Sequence, residues 1–360
     1  MNYKDMGKYD AVRHLYEKSY EFRFCKINEI DKVEKFIDNY WQKGHIFTKS
    51  KELLDWQHLD VENERYNFVL AIHKKTGEIH ALVGFIMSNL YDREIAKPIR
   101  WGAIWKIRED VGAKGLGIAV KWFFEQNASA PYIGGVGLSN DSKRINKKLG
   151  EKIGVLNHFY ILNANRTHYK LIENCENVFF PQVSSRQSKY FAEVLKDKFE
   201  RFEDYYQWIP PFKSPKYYVN RYFNHPIYEY HFTEIRTVDE GGIACFVWRK
   251  AEHEGNSCIF IVDYIGNGKE MLGCYGEFQQ LLISNNAEYI SFYNYGFKEE
   301  YFYNAGFRNV KDSNIIVPMY FEPFVKKNVE LDYHYYANDN EDNCEILFKG
   351  DADQDRPNQI

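Results

Sequence analysis

The segment IRWGAIWKIR, from Ile99 to Arg108, followed by Gly112-Ala113-Lys114-Gly115-Leu116-Gly117, decides how this chain is read. The first run is rich in β-branched and aromatic residues and reads as a strand. The second turns the chain sharply and opens a helix to about Gln126. Leu116, Ala119, Val120 and Phe123 recur along that helix at the spacing of one buried face. Glycines between a strand and a helix let backbone N–H groups approach a ligand, and the helix N-terminus adds about half a positive charge. That pairing suits a pyrophosphate. A dinucleotide fingerprint would need a third glycine where Val120 stands, and a P-loop would end in Gly-Lys-Ser/Thr. The same glycine start also occurs at helices that bind nothing.

Working outward, Glu21 to Ile27 reads as a strand, and Glu29 to Trp41 and Lys49 to His58 as helices. Tyr66 to His73 and Ile79 to Met87 read as strands joined by the turn Lys74-Lys75-Thr76-Gly77. After the glycine-loop helix come a strand at Tyr132 to Ser139, a short helix at Ser142 to Leu149 and a strand at Val155 to Leu162. Helices alternate with strands only in the later half, which predicts a mixed α/β layer.

The chain then repeats this order, with Ser214 to Trp248 matching Ser50 to Gly84. Cys258 to Tyr264, Met271 to Ile283, Ala287 to Tyr293 and Lys298 to Tyr303 continue the second copy. Ser188 to Phe202 reads as a helix, and Pro210-Pro211 as a break. The expected domains are residues 1–164, residues 165–330 and a tail, 331–360. Where the first copy has its glycine loop, the second has Ile265-Gly266-Asn267-Gly268-Lys269-Glu270, whose acidic end suits a pyrophosphate poorly. One cofactor site is therefore expected, with the second copy serving as a wall or substrate platform.

At 360 residues the chain is long enough for two domains. Its net charge of −4 gives no basic excess to attract nucleic acid or an anionic membrane. No apolar run approaches the ~20 residues of a membrane span. The charged start, MNYKDMGKYD, is unlike a secretory signal. Six scattered cysteines without a CxxC pair predict neither a zinc site nor a disulfide framework, so no metal and a cytoplasmic location are expected. Aromatic residues make up 18%, too many for a disordered chain.

Residues 21–162 resemble the GNAT superfamily of acyl-CoA-dependent N-acyltransferases. The resemblance is carried by Lys114-Gly115-Leu116-Gly117 between a fourth strand and a third helix, by Asn140 after the fifth strand, and by Gly150 closing the next helix. Gly112 stands where the family usually has Arg or Gln, and Asn146 where it often has a Tyr that protonates the leaving thiolate. The resemblance implies two tandem GNAT-like domains, each a mostly antiparallel, splayed mixed sheet flanked by helices. It also implies coenzyme A or acyl-CoA as co-substrate, held by Trp105, Lys106, Ile107 and Arg108, by the loop Gly112, Ala113, Lys114, Gly115, Leu116 and Gly117, and by Asn140 and Asn146. Trp41-Gln42-Lys43-Gly44-His45-Ile46, Leu54-Asp55-Trp56-Gln57-His58 and the segment from Lys349 to Asn358 resemble tandem members that acylate nucleotide-linked amino sugars. The implied partners are acyl-CoA, carrying a 3-hydroxybutyryl or acetyl group, and a dTDP-linked amino sugar for O-antigen or capsule synthesis. A peptidoglycan-bridge ligase using aminoacyl-tRNA and a non-catalytic acyl-CoA-binding module remain as alternatives. Monomer and dimer are both open.

His45, in the loop between the first two helices, is the first candidate for a general base, because a neutral imidazole accepts a proton near pH 7. Asp263, on the second copy's central strand, is the alternative. Gly134-Gly135 on the fifth strand would leave room for an acyl group longer than acetyl. For the sugar nucleotide, the candidates are Trp56, His58, Tyr206, Trp208, Tyr218, Arg221 and Tyr222, which offer stacking faces and one guanidinium, and Asp353 and Arg356 in the tail.

Overall fold

The apolar runs on either side of the glycine loop become neighbours in one sheet, and the repeat supplies a second. A computed structural model describes residues 6–175, 189–199, 213–238, 241–337 and 346–359. It divides into two compact units, one of Met1–Ile153, Tyr333–Asn343 and Asn358–Ile360, the other of Gly154–Asp332 and Cys344–Pro357.

The first unit contains α1 (Met6–Glu17), β1 (Tyr20–Lys26), α2 (Ile30–Phe36), α3 (Lys51–His58), β2 (Arg65–His73), β3 (Ile79–Met87), β4 (Ile99–Ile107), α4 (Leu116–Asn127), β5 (Tyr132–Val136) and α5 (Asn140–Lys148). Its sheet runs β1-β2-β3-β4-β5 and continues into the strand Asp332–Ala337. β1 to β4 are antiparallel, and β5 lies parallel to β4. Leu116, Val120 and Phe124 of α4 pack on Val69, Ala71, Val83 and Phe85 of the sheet. Burying each such Leu, Val or Phe side chain contributes roughly 1.5–3 kcal/mol. α1, which no sequence signal announced, braces α4: Trp122 Nε1 donates to Asp10 at 2.7 Å, and the Tyr16 hydroxyl donates to the Lys114 carbonyl at 2.5 Å.

Two irregularities shape β4. Its parallel pairing with β5 runs from Ile99↔Tyr132 to Gly102↔Gly135 and stops, although β4 continues to Ile107. The strands part there and leave a slot. On the other edge, Gly84 faces Ile104 while Phe85 faces Gly102, so Ala103 is the extra residue of a β-bulge.

The second unit repeats the plan with β6 (Asn157–Leu162), β7 (Lys189–Glu193), α6 (Pro215–Tyr218), β8 (His231–Thr237), β9 (Gly241–His253), β10 (Asn256–Ile265), α7 (Tyr275–Ser284), β11 (Ala287–Tyr295) and α8 (Glu299–Asn304). Its sheet order is β7-β8-β9-β10-β11-β6, again with one parallel pair, β10 and β11. The repeat extends to the helix caps. Ser50 accepts the Leu53 N–H at the start of α3, and Ser214 accepts the Tyr217 N–H at the start of α6.

The structure departs from the sequence reading in three places. The strand near Val155 to Leu162, read with the first copy, pairs with β11 of the second unit. The strand Asp332–Ala337, read as tail, pairs with β5 of the first. Strand pairing is non-local, so chain order assigned both to the wrong sheet. Of the helix expected over 188–202, the described residues form instead β7 followed by a short helix, Lys196–Phe199. Phe191 fits a period of two as well as a helical face, and five residue pairs with β8 decide for the strand. Pro210-Pro211 lies outside the described residues.

Candidate active site

The glycine loop opens on a cavity of about 670 Å³ in the first unit, lined by residues 105–109, 112–115, 117 and 118, and by residues at the start of α5. Gly112 and Gly115 have φ of +61° and +98°, backbone that L side chains rarely adopt. Gly115 is the N-cap of α4 and Gly117 lies in its first turn, where helical N–H groups have no partner within the helix. Lys106, Arg108, Lys114 and Arg144 line the cavity against Glu109 and Asp141. Lys106 pairs with Glu109, Arg108 with Asp110, and Arg144 with Asp141. Lys114 has no ion pair among the described residues. Leu116 points into the core and is fully buried, and Asn140 is exposed and does not line the cavity.

A second, smaller cavity of about 140 Å³ occupies the slot between β4 and β5 and shares Trp105, Ser139 and Ser142 with the first. Trp105 Nε1 and Asn146 Oδ1 on its wall are buried and unpartnered among the described residues, one a donor and the other an acceptor. His334 also lines it, from the strand Asp332–Ala337. Its Nδ1 is hydrogen-bonded to the Glu151 carboxylate. The two glycines of β5 make room for side chains rather than for a ligand. A Cβ at Gly134 would lie 2.5 Å from Trp101, and one at Gly135 would lie 2.5 Å from His334 Nε2. Space for a long acyl group at Gly135 is thus not what the structure provides, because the imidazole fills it. Lys121 also borders the slot, paired at 2.5 Å with Glu125. Burial alone would raise the Glu125 carboxyl, but Arg100 and Lys121 outweigh it and hold it down to about 2.

The second unit has the same parting of strands, but among the described residues the chain's tail fills the slot. Pairing of β10 with β11 ends at Ile261↔Phe292, and the tail enters beyond that point. Phe348 pairs with Asn294 of β11, and the Gly350 N–H donates to the Val262 carbonyl of β10 at 2.8 Å. Charged groups lock the tail. Lys213 reaches Asp263 at 2.7 Å and Asp351 at 2.6 Å, while Arg221 meets Asp355 at 2.6 Å. The Tyr222 hydroxyl donates to Asp263, and the Arg249 Nε–H donates to the Asp355 carbonyl. Several expected ligand contacts are therefore internal. Asp263 is fully buried and ion-paired. Tyr218, Arg221 and Tyr222 belong to a buried layer, and Asp353 pairs with Arg356 at 3.3 Å.

His45 is buried, and its Nδ1 accepts the Phe47 N–H at 3.2 Å as a cap. His58 is fully buried between Phe47 and Phe68, with Nδ1 3.0 Å from the Phe85 carbonyl, so it presents no surface to a sugar. Trp56 packs on Tyr91. Tyr206 and Trp208 lie outside the described residues. The sequence reading missed His334 and Glu151, because nothing in the run DYHYYA or at Glu151 signals a partner in the other half of the chain. Among the described residues, no cluster of His, Cys, Asp and Glu could hold a metal ion, and no helix is long and apolar enough to cross a membrane.

No protein-family model matches the sequence, and no curated protein matches it. A solved GCN5-related N-acetyltransferase from Anabaena variabilis ATCC 29413 is similar over 88% of this chain and 72% of its own, with TM-score 0.51 and 9% identity. The fold is that of the GCN5-related N-acetyltransferases. A conserved protein of unknown function from Enterococcus faecalis V583 is similar over 89% of this chain and 73% of its own, with TM-score 0.54 and 8% identity. A GCN5-related glucosamine N-acetyltransferase region of a fungal multi-domain β-N-acetylglucosaminidase gives TM-score 0.52 at 12% identity. There the match covers 88% of this chain but 38% of the fungal one. In GCN5-related terms, the first unit keeps an open slot and the second fills its own with the tail.

Proposed function

We propose that the protein is an acyl-CoA-dependent N-acyltransferase whose co-substrate binds in the first unit. The observation that carries this reading is the junction of the two cavities along β4, at Trp105. The glycine loop and the orphan N–H groups of α4 suit a diphosphate, with Lys114 as the unpaired cation beside them. The slot suits a narrow, amide-bearing arm. Trp105 Nε1–H would donate to an amide carbonyl and Asn146 Oδ1 would accept an amide N–H, which satisfies both buried orphans. The bulge at Ala103 breaks the ladder beside the slot, where a backbone N–H would stabilise a developing oxyanion.

The acceptor is an amine. A dTDP-linked amino-deoxysugar, acylated with a 3-hydroxybutyryl or acetyl group, follows from the resemblance of residues 41–46 and 54–58. The residues nominated to hold its nucleotide are mostly buried in the second unit and lend no support. The test is release of CoA thiol from acetyl-CoA and 3-hydroxybutyryl-CoA, with and without dTDP-linked 3-amino- and 4-amino-deoxysugars. Release that depends on the amine is expected. Release from other amines but not from dTDP sugars would overturn the acceptor assignment, and binding of CoA without turnover would overturn the enzymatic reading.

A further inference from the structure

We propose that His334 is the catalytic proton acceptor for the incoming amine and that Glu151 is its positioning residue. The assignment rests on the acyltransferase reading above and names the residue that completes it. His334 stands on the strand Asp332–Ala337, opposite Gly135 of β5. Its ring lies across the face of that glycine, with Nε2 3.8 Å from where a Cβ of Gly102 would be. This puts the imidazole beside the last paired residues of β4 and β5, next to the Ala103 bulge and at the head of the slot.

The two ring nitrogens have different surroundings. Nδ1 is held by Glu151, which fixes both the ring and its tautomer: Nδ1 carries the proton and Nε2 keeps a lone pair. Nε2 has no partner among the described residues and faces the cavity. Glu151 is itself anchored, its N–H donating to the Asn146 carbonyl at 3.1 Å. The other charged group on the cavity wall, Lys121, is engaged by Glu125. The earlier candidates are otherwise employed, His45 as a cap and Asp263 in a buried ion pair.

The step balances without a co-reactant. The amine nitrogen uses its lone pair to form the C–N bond at the thioester carbonyl carbon. The C–S bond breaks, and sulfur leaves with its electron pair. The proton lost by nitrogen passes to His334 Nε2, Glu151 compensates the imidazolium, and the proton then goes to the thiolate.

The experiment measures kcat and KM for the full chain and for H334Q, E151Q and E151D, with thermal stabilisation by CoA as the binding readout. For H334Q we expect a loss of 100-fold or more in kcat, within the usual range for general-base catalysis of about 10²–10⁴, with CoA stabilisation retained. For E151Q we expect a smaller loss, at least tenfold in kcat, with KM and CoA stabilisation retained, and for E151D a partial recovery of kcat. If H334Q does not melt cooperatively, E151Q and E151D carry the test, since a merely structural role would lower stability and CoA binding together with kcat. Turnover of H334Q or of E151Q within threefold of the parent overturns the proposal and leaves the acyltransferase reading standing. A parent protein that transfers no acyl group overturns both.

Discussion

The carboxylate of Glu151 holds Nδ1 of His334, although 183 positions separate the two residues in the chain. Glu151 follows the last helix of the first unit, and His334 returns to that unit on a strand that comes after β6 to β11 of the second sheet. The candidate base is therefore assembled only when that late strand pairs with β5.

Gly135 keeps the space that the imidazole fills. In Gly135→Ala the new Cβ would lie 2.5 Å from Nε2 and 2.8 Å from Cδ2 of His334, so the ring must move. We expect acyl transfer to fall by about 10–100-fold, as for other displacements of about 1 Å in an active site. Acyl-chain preference should not change. Steady-state kinetics with acetyl- and 3-hydroxybutyryl-CoA check both points.

Gly115 caps α4 with φ of +98°. In Gly115→Val a β-branched residue is forced into that region at a cost of about 1–3 kcal/mol, and the loop distorts. Thermal stabilisation by CoA should weaken at least tenfold in apparent affinity. Gly44→Ala, at φ +69° but away from both cavities, serves as the control, with some loss of stability and unchanged affinity.

Glu125 should contribute to the acid sensitivity of the first unit. Its folded carboxyl lies at about 2, below the unfolded range. The stability it supplies is thus present above about pH 4.5 and is lost as pH falls toward 2. At pH 7 this amounts to about 3 kcal/mol by linkage. Glu125→Gln should melt well below the parent at pH 7, and the difference should narrow steadily below pH 4.5 in a melting series.

The tail of the second unit is held by a buried ion pair. Burial pushes the Asp355 carboxyl up, but Arg221 and the Tyr230 hydroxyl reverse that and leave it lowered. Asp355→Ala strands the Arg221 guanidinium and should destabilise by about 3–5 kcal/mol. Urea unfolding measures the loss, and limited proteolysis should then cut within residues 346–357.

Lys349 carries the opposite sign. Burial, followed by repulsion from Arg249, lowers its amine to about 7, far below its value in an unfolded chain. Unfolding therefore takes up a proton between about pH 7 and 10.4, and stability rises with pH across that window. Lys349→Met should raise stability at pH 7 by on the order of a few kcal/mol and flatten the alkaline rise, as read from urea titrations at pH 7 and 9.

Much of the first unit was legible from the glycine loop outward. IRWGAIWKIR is β4, the loop opens α4, and the two capping serines, Ser50 and Ser214, mark the same helix in both copies. These are local features, in which period, glycine and cap lie within a few residues of the structure they produce. The substrate residues were not legible. Tyr218, Arg221, Tyr222, Asp353 and Arg356 look like a ligand surface when read as a composition of aromatics and charges. Their burial depends on a tail that folds back from more than a hundred positions away.

By itself the sequence determined most of the element types, the repeat and the loss of the loop in the second copy, because backbone preference and hydrophobic period are written in neighbouring residues. The tertiary structure decided which strand closes each sheet, which slot stays open and which histidine stands in it. Those outcomes depend on hydrogen-bond pairing between distant segments. In the first unit Asp332–Ala337 completes the sheet and brings His334 to Glu151, and in the second the tail takes the space that the first keeps empty.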